Sequence, residues 1–211
     1  MDLPAIIPIF PLHNVVLFPD VPLPLHIFEP RYREMIKDAA ASHELIGMTL
    51  LRGDWQDSYY DRPEIFPVGC AGRLAHVEPL PDGRSNVLLH GLCEFEIARD
   101  IYERPYRQAQ IRWWNRSQQT VPAELRAALV ERLGRALAVQ PDSAGQRLLQ
   151  DDVLPDQKLV NFFSYMLDLP VLVKQALLQE PTLAGRAKRL IDALEFSDAE
   201  SAGGCGSDRP H

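Results

Sequence analysis

A chain of 211 residues that is 46% hydrophobic and 24% charged can bury a sizeable core, as one large domain or two small ones. Its formal net charge of −7 gives no general attraction to nucleic acid or to anionic membrane. No apolar run approaches bilayer length, and the opening Met-Asp-Leu-Pro lacks the basic start and apolar core of a secretory signal.

Proline dominates the first thirty residues. Pro8, Pro11, Pro19, Pro22, Pro24 and Pro30 each remove a backbone donor and fix φ, so no long regular strand can pass through. Short extended pieces are expected over 6–10, 15–18 and 23–28, kept out of helix by the residues that precede proline. Pro30 suits a first helical position, and Tyr32, Met35, Ile36, Ala39 and Ala40 recur at helical spacing over 30–41. A buried strand is expected over 45–51, followed by a loop, 52–66, too long and polar for a hairpin turn. The strand over 68–77 holds Gly69 and Gly72, which suggest a bulge or a close backbone approach. Leu80-Pro-Asp-Gly83 supplies turn chemistry. The strand over 86–97 then alternates, with Val87, Leu89, Gly91, Cys93, Phe95 and Ile97 on one face and His90, Glu94 and Glu96 on the other. A last strand over 106–114 puts Ala109, Ile111 and Trp113 opposite Tyr106, Arg112 and Trp114.

Helical period takes over after a polar connector at 116–122. Residues 124–138 place Leu125, Ala128, Leu129, Leu133, Ala136 and Leu137 on one side, and the stretch from Pro141 to Pro155 breaks the helix. Asp156 is the expected N-cap of a helix carrying Leu159, Val160, Phe163, Met166 and Leu167. Asp168 is expected to cap another running through Leu178, and Thr182 to open a last helix through Leu194. The small, polar residues 197–211 are expected to be disordered. The predicted fold class is α+β, with a β-rich N-terminal subdomain over 1–118 that includes one early helix, and a C-terminal α-helical bundle over 119–196.

The run FPLHNVVLFPDVPLPLHIFEPRYREMI closely resembles the start of the Lon protease N-terminal domain, also called the LON substrate-binding domain. VGCAGRLAHVEPLPDGRSNVLLHGLCEFEI is similar to that family's central β region, and 158–195 to its C-terminal bundle. The resemblance covers roughly residues 4–196. It implies a PUA-like pseudo-barrel followed by a helical subdomain, and a stand-alone relative of a domain that full Lon proteases join to an ATPase and a serine–lysine peptidase. The 211 residues contain no GxxxxGK[ST] phosphate loop. Ser164 and Lys158 are the nearest approach to a Ser–Lys pair and are read as chance neighbours.

The function expected is therefore non-catalytic binding of unfolded or extended polypeptide segments, as an adaptor or client-binding protein acting with a protease or ATPase partner. Candidate binding residues are Trp55, Tyr59, Tyr60 and Phe66 in the 52–66 loop, with Arg31 at the entry to the first helix. Arg31 and Arg33 are expected to reach Glu29, Glu94 or Glu96, or alternatively a peptide carboxylate. The cleft between the β and α halves and an open strand edge are further candidate surfaces. The alternative reading is an RNA- or nucleic-acid-binding PUA-like protein, from the interleaved arginines and aromatics of 99–116. Asp100 and Glu103 within that stretch, and the net acidity, weigh against it. No cofactor, metal or membrane is expected. The histidines lack ligand spacing, and His13 and His26 are expected to bond backbone. Cys70, Cys93 and Cys205 form no CxxC pair, which fits a reduced cytoplasmic protein.

Overall fold

The computed structural model describes residues 3–114, 119–137, 144–149, 151 and 153–203. Its strands are β1 (Ile6–Leu12), β2 (Pro22–Ile27), β3 (Leu45–Leu50), β4 (Val68–Pro79), β5 (Ser85–Ile101) and β6 (Arg107–Trp113). The helices are α1 (Pro30–Ala40), α2 (Ala123–Leu137), α3 (Ala144–Leu149), α4 (Asp156–Met166), α5 (Val171–Gln179) and α6 (Leu183–Gly203). The sheet order is β2-β5-β4-β3-β1-β6, and β6 also pairs with β5. Five strands thus close into a ring while β2 lies outside it along β5. This is the expected pseudo-barrel with one early helix, followed by helices.

Local chemistry accounts for the elements. Pro30 opens α1, and the Glu29 carbonyl accepts the N–H groups of Tyr32 and Arg33 at 3.0 and 2.9 Å. Tyr32, Met35, Ile36 and Ala39 are buried as their spacing predicts; Ala40 is exposed. All six residues of β3 are buried because both faces of the strand are covered. Leu45 joins the barrel interior, with Ile7, Ile9, Ala71, Phe95, Ala109 and Ile111. Ile46, Met48 and Leu50 join a second, larger cluster shared with the helices. A strand buried on both faces reads as a continuous apolar run.

Three expectations need correction in this region. The piece over 15–18 joins no strand; Val16, Leu17 and Phe18 are instead a buried link between β1 and β2. Gly91 is pressed against that link, and a Cβ there would lie 2.0 Å from the Phe18 carbonyl oxygen. The second correction concerns β5. The β4–β5 register passes from Gly72↔Gly91 to Ala71↔Cys93, leaving Leu92 unpaired. This bulge, at the glycine that suggested one, reverses the side-chain phase. Val87 and Leu89 therefore pack in the helix-facing cluster, whereas Phe95 and Ile97 line the barrel. Glu94, expected with the outward residues, is buried at 3% exposure. Third, His26 bonds the Asn86 side chain at 2.9 Å and His13 stacks on Trp55, so neither histidine's structural contact is the expected backbone one.

The helices also depart from expectation at their starts. Asp156 is the first residue of α4, after Pro155, and its carboxylate accepts the Val121 N–H at 2.8 Å and Arg126 Nε at 3.0 Å. It ties α2 to α4 in place of capping α4. Pro170, not Asp168, precedes α5. Thr182 does cap α6, its Oγ1 accepting the Gly185 N–H at 3.0 Å. The six-residue α3 lies within the stretch read as a break. The first part of the expected tail is helical, since α6 runs to Gly203, and residues 204–211 lie outside the described ones.

Buried side chains join the helices to the barrel: Gln175 of α5 donates to the Val68 carbonyl of β4 at 3.0 Å, and Arg186 makes the larger set of bonds. Arg186 of α6 is 1% exposed and donates to Glu94 Oε1 at 2.5 Å, to the Leu177 and Leu178 carbonyls at 2.9 and 3.1 Å, and to Asn161 Oδ1. Its guanidinium also lies 5.5 Å from the Phe18 ring centroid. Removing one member strands a buried charge, which costs about 3–5 kcal/mol, whereas replacing both with apolar residues of similar volume is often neutral. Urea unfolding should therefore show Glu94→Ala losing about that much. Glu94→Leu combined with Arg186→Met should recover most of the loss, and a double variant no better than the single would contradict this account.

Candidate functional site

The 52–66 segment is a compact loop with a closed neck. Leu51 and Ile65 form a bridge, Arg52 N–H donates to the Glu64 carbonyl at 2.9 Å, and Phe66 N–H donates to the Leu50 carbonyl at 2.9 Å. Inside the neck, short turns run from Trp55 to Ser58 and from Ser58 to Asp61.

Four of the five candidate residues converge. Arg31 Nε donates to Glu29 at 3.0 Å and both terminal nitrogens reach the Tyr59 carbonyl at 3.3 and 3.4 Å. The guanidinium lies 4.6, 5.0 and 5.8 Å from the ring centroids of Tyr32, Tyr59 and Tyr60. The Tyr59 hydroxyl donates to Glu29 Oε1 at 2.5 Å; burial and then this bond raise its pKa above the usual phenol value. Aromatic contacts continue outward, with His13 on Trp55 at 5.0 Å, Trp55 on Tyr59 at 5.9 Å and Tyr59 on Tyr60 at 5.2 Å. Tyr60 ends the series at 85% exposure. Phe66 stands apart: it sits beneath the neck, packed against the larger cluster. His13 and Glu29 were not among the candidate binding residues; Glu29 was expected as a partner of Arg31, while its bond from Tyr59 and the stacking of His13 on Trp55 were not.

Further bonds strap the loop to the barrel. Arg107 donates to the Pro63 carbonyl at 2.8 Å while holding Asp100 through two bonds of 2.8 and 2.7 Å. Arg62 donates to the Ile101 carbonyl at 3.3 Å, and its guanidinium covers the Tyr102 ring at 3.8 Å. The seam beneath encloses a cavity of about 30 Å³ lined by Pro11, Arg31, Tyr59, Arg62, Tyr106 and Arg107. That is water-sized, far below a ligand pocket. The site can therefore offer the Tyr60 ring, backed by Tyr59 and Trp55, on a fastened loop whose outer side also carries Asp54, Asp57, Asp61 and Glu64, with Arg31 and Arg62 already engaged. Arg31 reaches Glu29, one of its expected partners, and is committed within the chain.

The other candidate surfaces fare differently. Where helices meet sheet, the junction is filled by Arg186, Phe18, Phe163 and Gln175, all buried. The free edge of β2 carries Pro22 and Pro24, which pair with His90 and Leu88 of β5. Alternate residues of an antiparallel strand donate to opposite sides. Prolines at alternate positions therefore leave the outer edge without those donors, which blunts strand addition. In the 99–116 stretch, Arg104, Arg107 and Arg112 are paired with Asp38, Asp100 and Glu96. Arg116 lies outside the described residues, and nothing among the others favours nucleic acid. Cys70 is buried with its pKa pushed well up, and burial raises Cys93 to about 11, so neither is an activated thiol. Ser164 is buried and donates to the Val160 carbonyl at 2.7 Å, while Lys158 is exposed. Among the described residues no group of three His, Cys, Asp or Glu could hold a metal, and no helix is long and apolar enough to cross a membrane.

Comparison with known proteins gives a consistent set of matches. Residues 6–195 match the model of the ATP-dependent protease La (LON) substrate-binding domain. A Lon protease of Flavobacterium johnsoniae is 28% identical over 205 residues, which are 94% of this chain and 24% of that protein. A Lon protease of Anaeromyxobacter dehalogenans is 26% identical over 199 residues, 92% of this chain and 23% of that protein. The chain thus spans about a quarter of the length of these relatives. A crystal structure of a Lon N-terminal domain protein from Xanthomonas campestris superposes with a TM-score of 0.66 at 22% identity, covering 89% of this chain and 97% of that one. The N-terminal domain of Mycobacterium avium complex Lon protease gives 0.69 at 15% identity, covering 90% and 98%. Both share the fold.

The straps make a pH prediction. The bonds from Arg107 hold the Asp100 carboxyl below its usual pKa. Its stabilising contribution is then complete above the unfolded value near 3.9 and is lost as pH falls through the lowered folded value. Arg107→Ala should speed amide exchange across 52–66 relative to wild type at neutral pH. The gap between the two should shrink as the pH falls through the lowered folded value of Asp100, where its carboxyl loses the charge that Arg107 holds. Equal exchange at neutral pH would show that Arg107 does not fasten the loop.

Proposed function

Since the chain belongs to the LON substrate-binding domain family, we propose that it binds unfolded or extended polypeptide segments without cleaving them. The observation that supports this most directly is the Trp55–Tyr59–Tyr60 series, with an outermost ring that faces solvent on a loop fastened at its neck and along its seam. Rings held in place lose little conformational freedom on contact, and a flat aromatic surface accepts many apolar side chains without demanding a sequence. In this reading Trp55 and Tyr60 make the contact. Tyr59 and Arg31 position them, and Phe66 anchors the loop to the core.

The absence of a phosphate-loop motif from the 211 residues fits a binding role. Delivery of bound segments to an ATPase or protease partner, as an adaptor, is the role that suits such a module. Blocked donors on the β2 edge support side-chain contact, rather than strand addition, as the mode of binding.

Titration of fluorescently labelled, reductively unfolded proteins should give saturable binding. Tyr60→Ala, which breaks no hydrogen bond, should weaken it by roughly 3- to 10-fold, about 1 kcal/mol, with an unchanged Tm. Trp55→Ala should weaken it at least as much. Binding untouched by the double variant would move the site off the loop, and no saturable binding to any unfolded chain would overturn the reading as a whole.

A further inference from the structure

The loop that presents Tyr60 already shows how its surroundings hold a cation. Arg31 is gripped by two kinds of group at once, the Glu29 carboxylate at 3.0 Å and the rings of Tyr32, Tyr59 and Tyr60 at 4.6, 5.0 and 5.8 Å. Arg62 repeats the ring contact, its guanidinium lying 3.8 Å from the Tyr102 centroid. A flat, weakly hydrated guanidinium stacks on a ring while its edge stays free to bond a carboxylate, a geometry that the compact ammonium of lysine matches less well.

The outer side of the loop carries the same two kinds of group without the cation. Tyr60 is exposed, and so are Asp54, Asp57, Asp61 and Glu64. Asp61 follows Tyr60 directly and Asp57 precedes it by three residues, in a segment kept compact by the turns from Trp55 to Ser58 and from Ser58 to Asp61. None of the four carboxylates has an ion-pair partner among the described residues. The loop's own cations are placed elsewhere. Arg62 is turned onto Tyr102 and the Ile101 carbonyl, and Arg52 lies at the neck, 6.0 Å from the Phe66 ring. Four carboxylates against two arginines leave residues 52–66 with a net charge of −2. A wholly apolar segment would use the ring and none of this charge, and an acidic one would be repelled. Resting on the polypeptide-binding reading of the loop, we propose that the segments it selects carry an arginine beside an apolar residue. Both contact Tyr60, and the guanidinium faces the loop's carboxylates.

The test uses four extended peptides of one sequence, with Arg, Lys, Gln or Glu at the same positions between leucines, titrated against the full chain at low salt. The arginine peptide should bind roughly 3- to 10-fold more tightly than the glutamine peptide, with lysine between them and glutamate weakest. That advantage should shrink in about 0.5 M salt. Asp54→Asn, Asp57→Asn, Asp61→Asn and Glu64→Gln combined break no hydrogen bond among the described residues, and should bring the arginine-to-glutamine ratio close to one at an unchanged Tm. A glutamine peptide that binds, and is weakened by Tyr60→Ala, while arginine adds nothing, overturns the selectivity and leaves the binding role of the loop standing. An arginine gain that survives the combined variant also overturns it, because the cation is then held elsewhere on an acidic chain. Peptide binding indifferent to Tyr60→Ala removes the loop as the site, and the selectivity with it.

Discussion

The bond between Arg186 and Glu94 is the constraint on which the rest of the architecture depends. A guanidinium at 1% exposure is tolerable only when its donors are engaged, and here they reach a carboxylate, an amide and two helix carbonyls. Those partners sit on β5, on α4 and at the C-terminal end of α5. A single side chain of α6 therefore sets the position of two neighbouring helices and the barrel at once. Shifting any of them leaves a buried charge short of a partner, so the relative placement is narrowly defined. The bulge at Leu92 is a precondition, because without it Glu94 would point away from the helices.

The same logic of internal satisfaction governs the aromatic loop. Arg31, Arg62 and Arg107 all turn inward, each onto a backbone carbonyl of the loop or of the barrel beside it. Glu29 takes both Arg31 and the Tyr59 hydroxyl. These arginine donors are spent on fastening, and what remains outward is the Tyr60 ring among the exposed carboxylates of Asp54, Asp57, Asp61 and Glu64. A loop whose arginines were free would attract anions; this one presents Tyr60 with its neighbouring cation already engaged beneath it. That division between fastening groups and presenting groups separates the peptide-binding reading from the nucleic-acid one more sharply than net charge does.

How much of this was legible in the sequence differs from element to element. Pro30 with its apolar period marked α1, the Leu80–Gly83 turn marked the β4–β5 hairpin, and Thr182 marked the start of α6, because each signal is local. The bulge was suggested by Gly72, yet its consequence was not, since the phase of every later β5 residue depends on which single residue is skipped. Glu94 consequently looked like a surface carboxylate. Asp156 looked like an N-cap because capping is a local rule, whereas its actual partners, Val121 and Arg126, lie about thirty residues earlier. At the candidate site the aromatic residues could be named from composition. Their stacking on His13 and their hold on Glu29 needed the fold, which brings residues 13, 29 and 59 together. Phe66 shared the composition but not the location, because it falls on the core side of the neck.

The proline-rich start of the chain then takes on a second meaning. Its prolines shape the first strands and open α1, but Pro22 and Pro24 also sit on the one strand that lies outside the closed ring. A protein that handles unfolded chains is exposed to partners seeking a strand edge, and an open edge there would bind them by backbone bonds regardless of side chain. With those donors removed, such partners must be held through side-chain contact, which is weaker for each residue and more easily reversed. A module that must release what it binds gains from that restriction. On the proposed reading, the residues that block β2 belong to the binding behaviour as much as Trp55 and Tyr60 do.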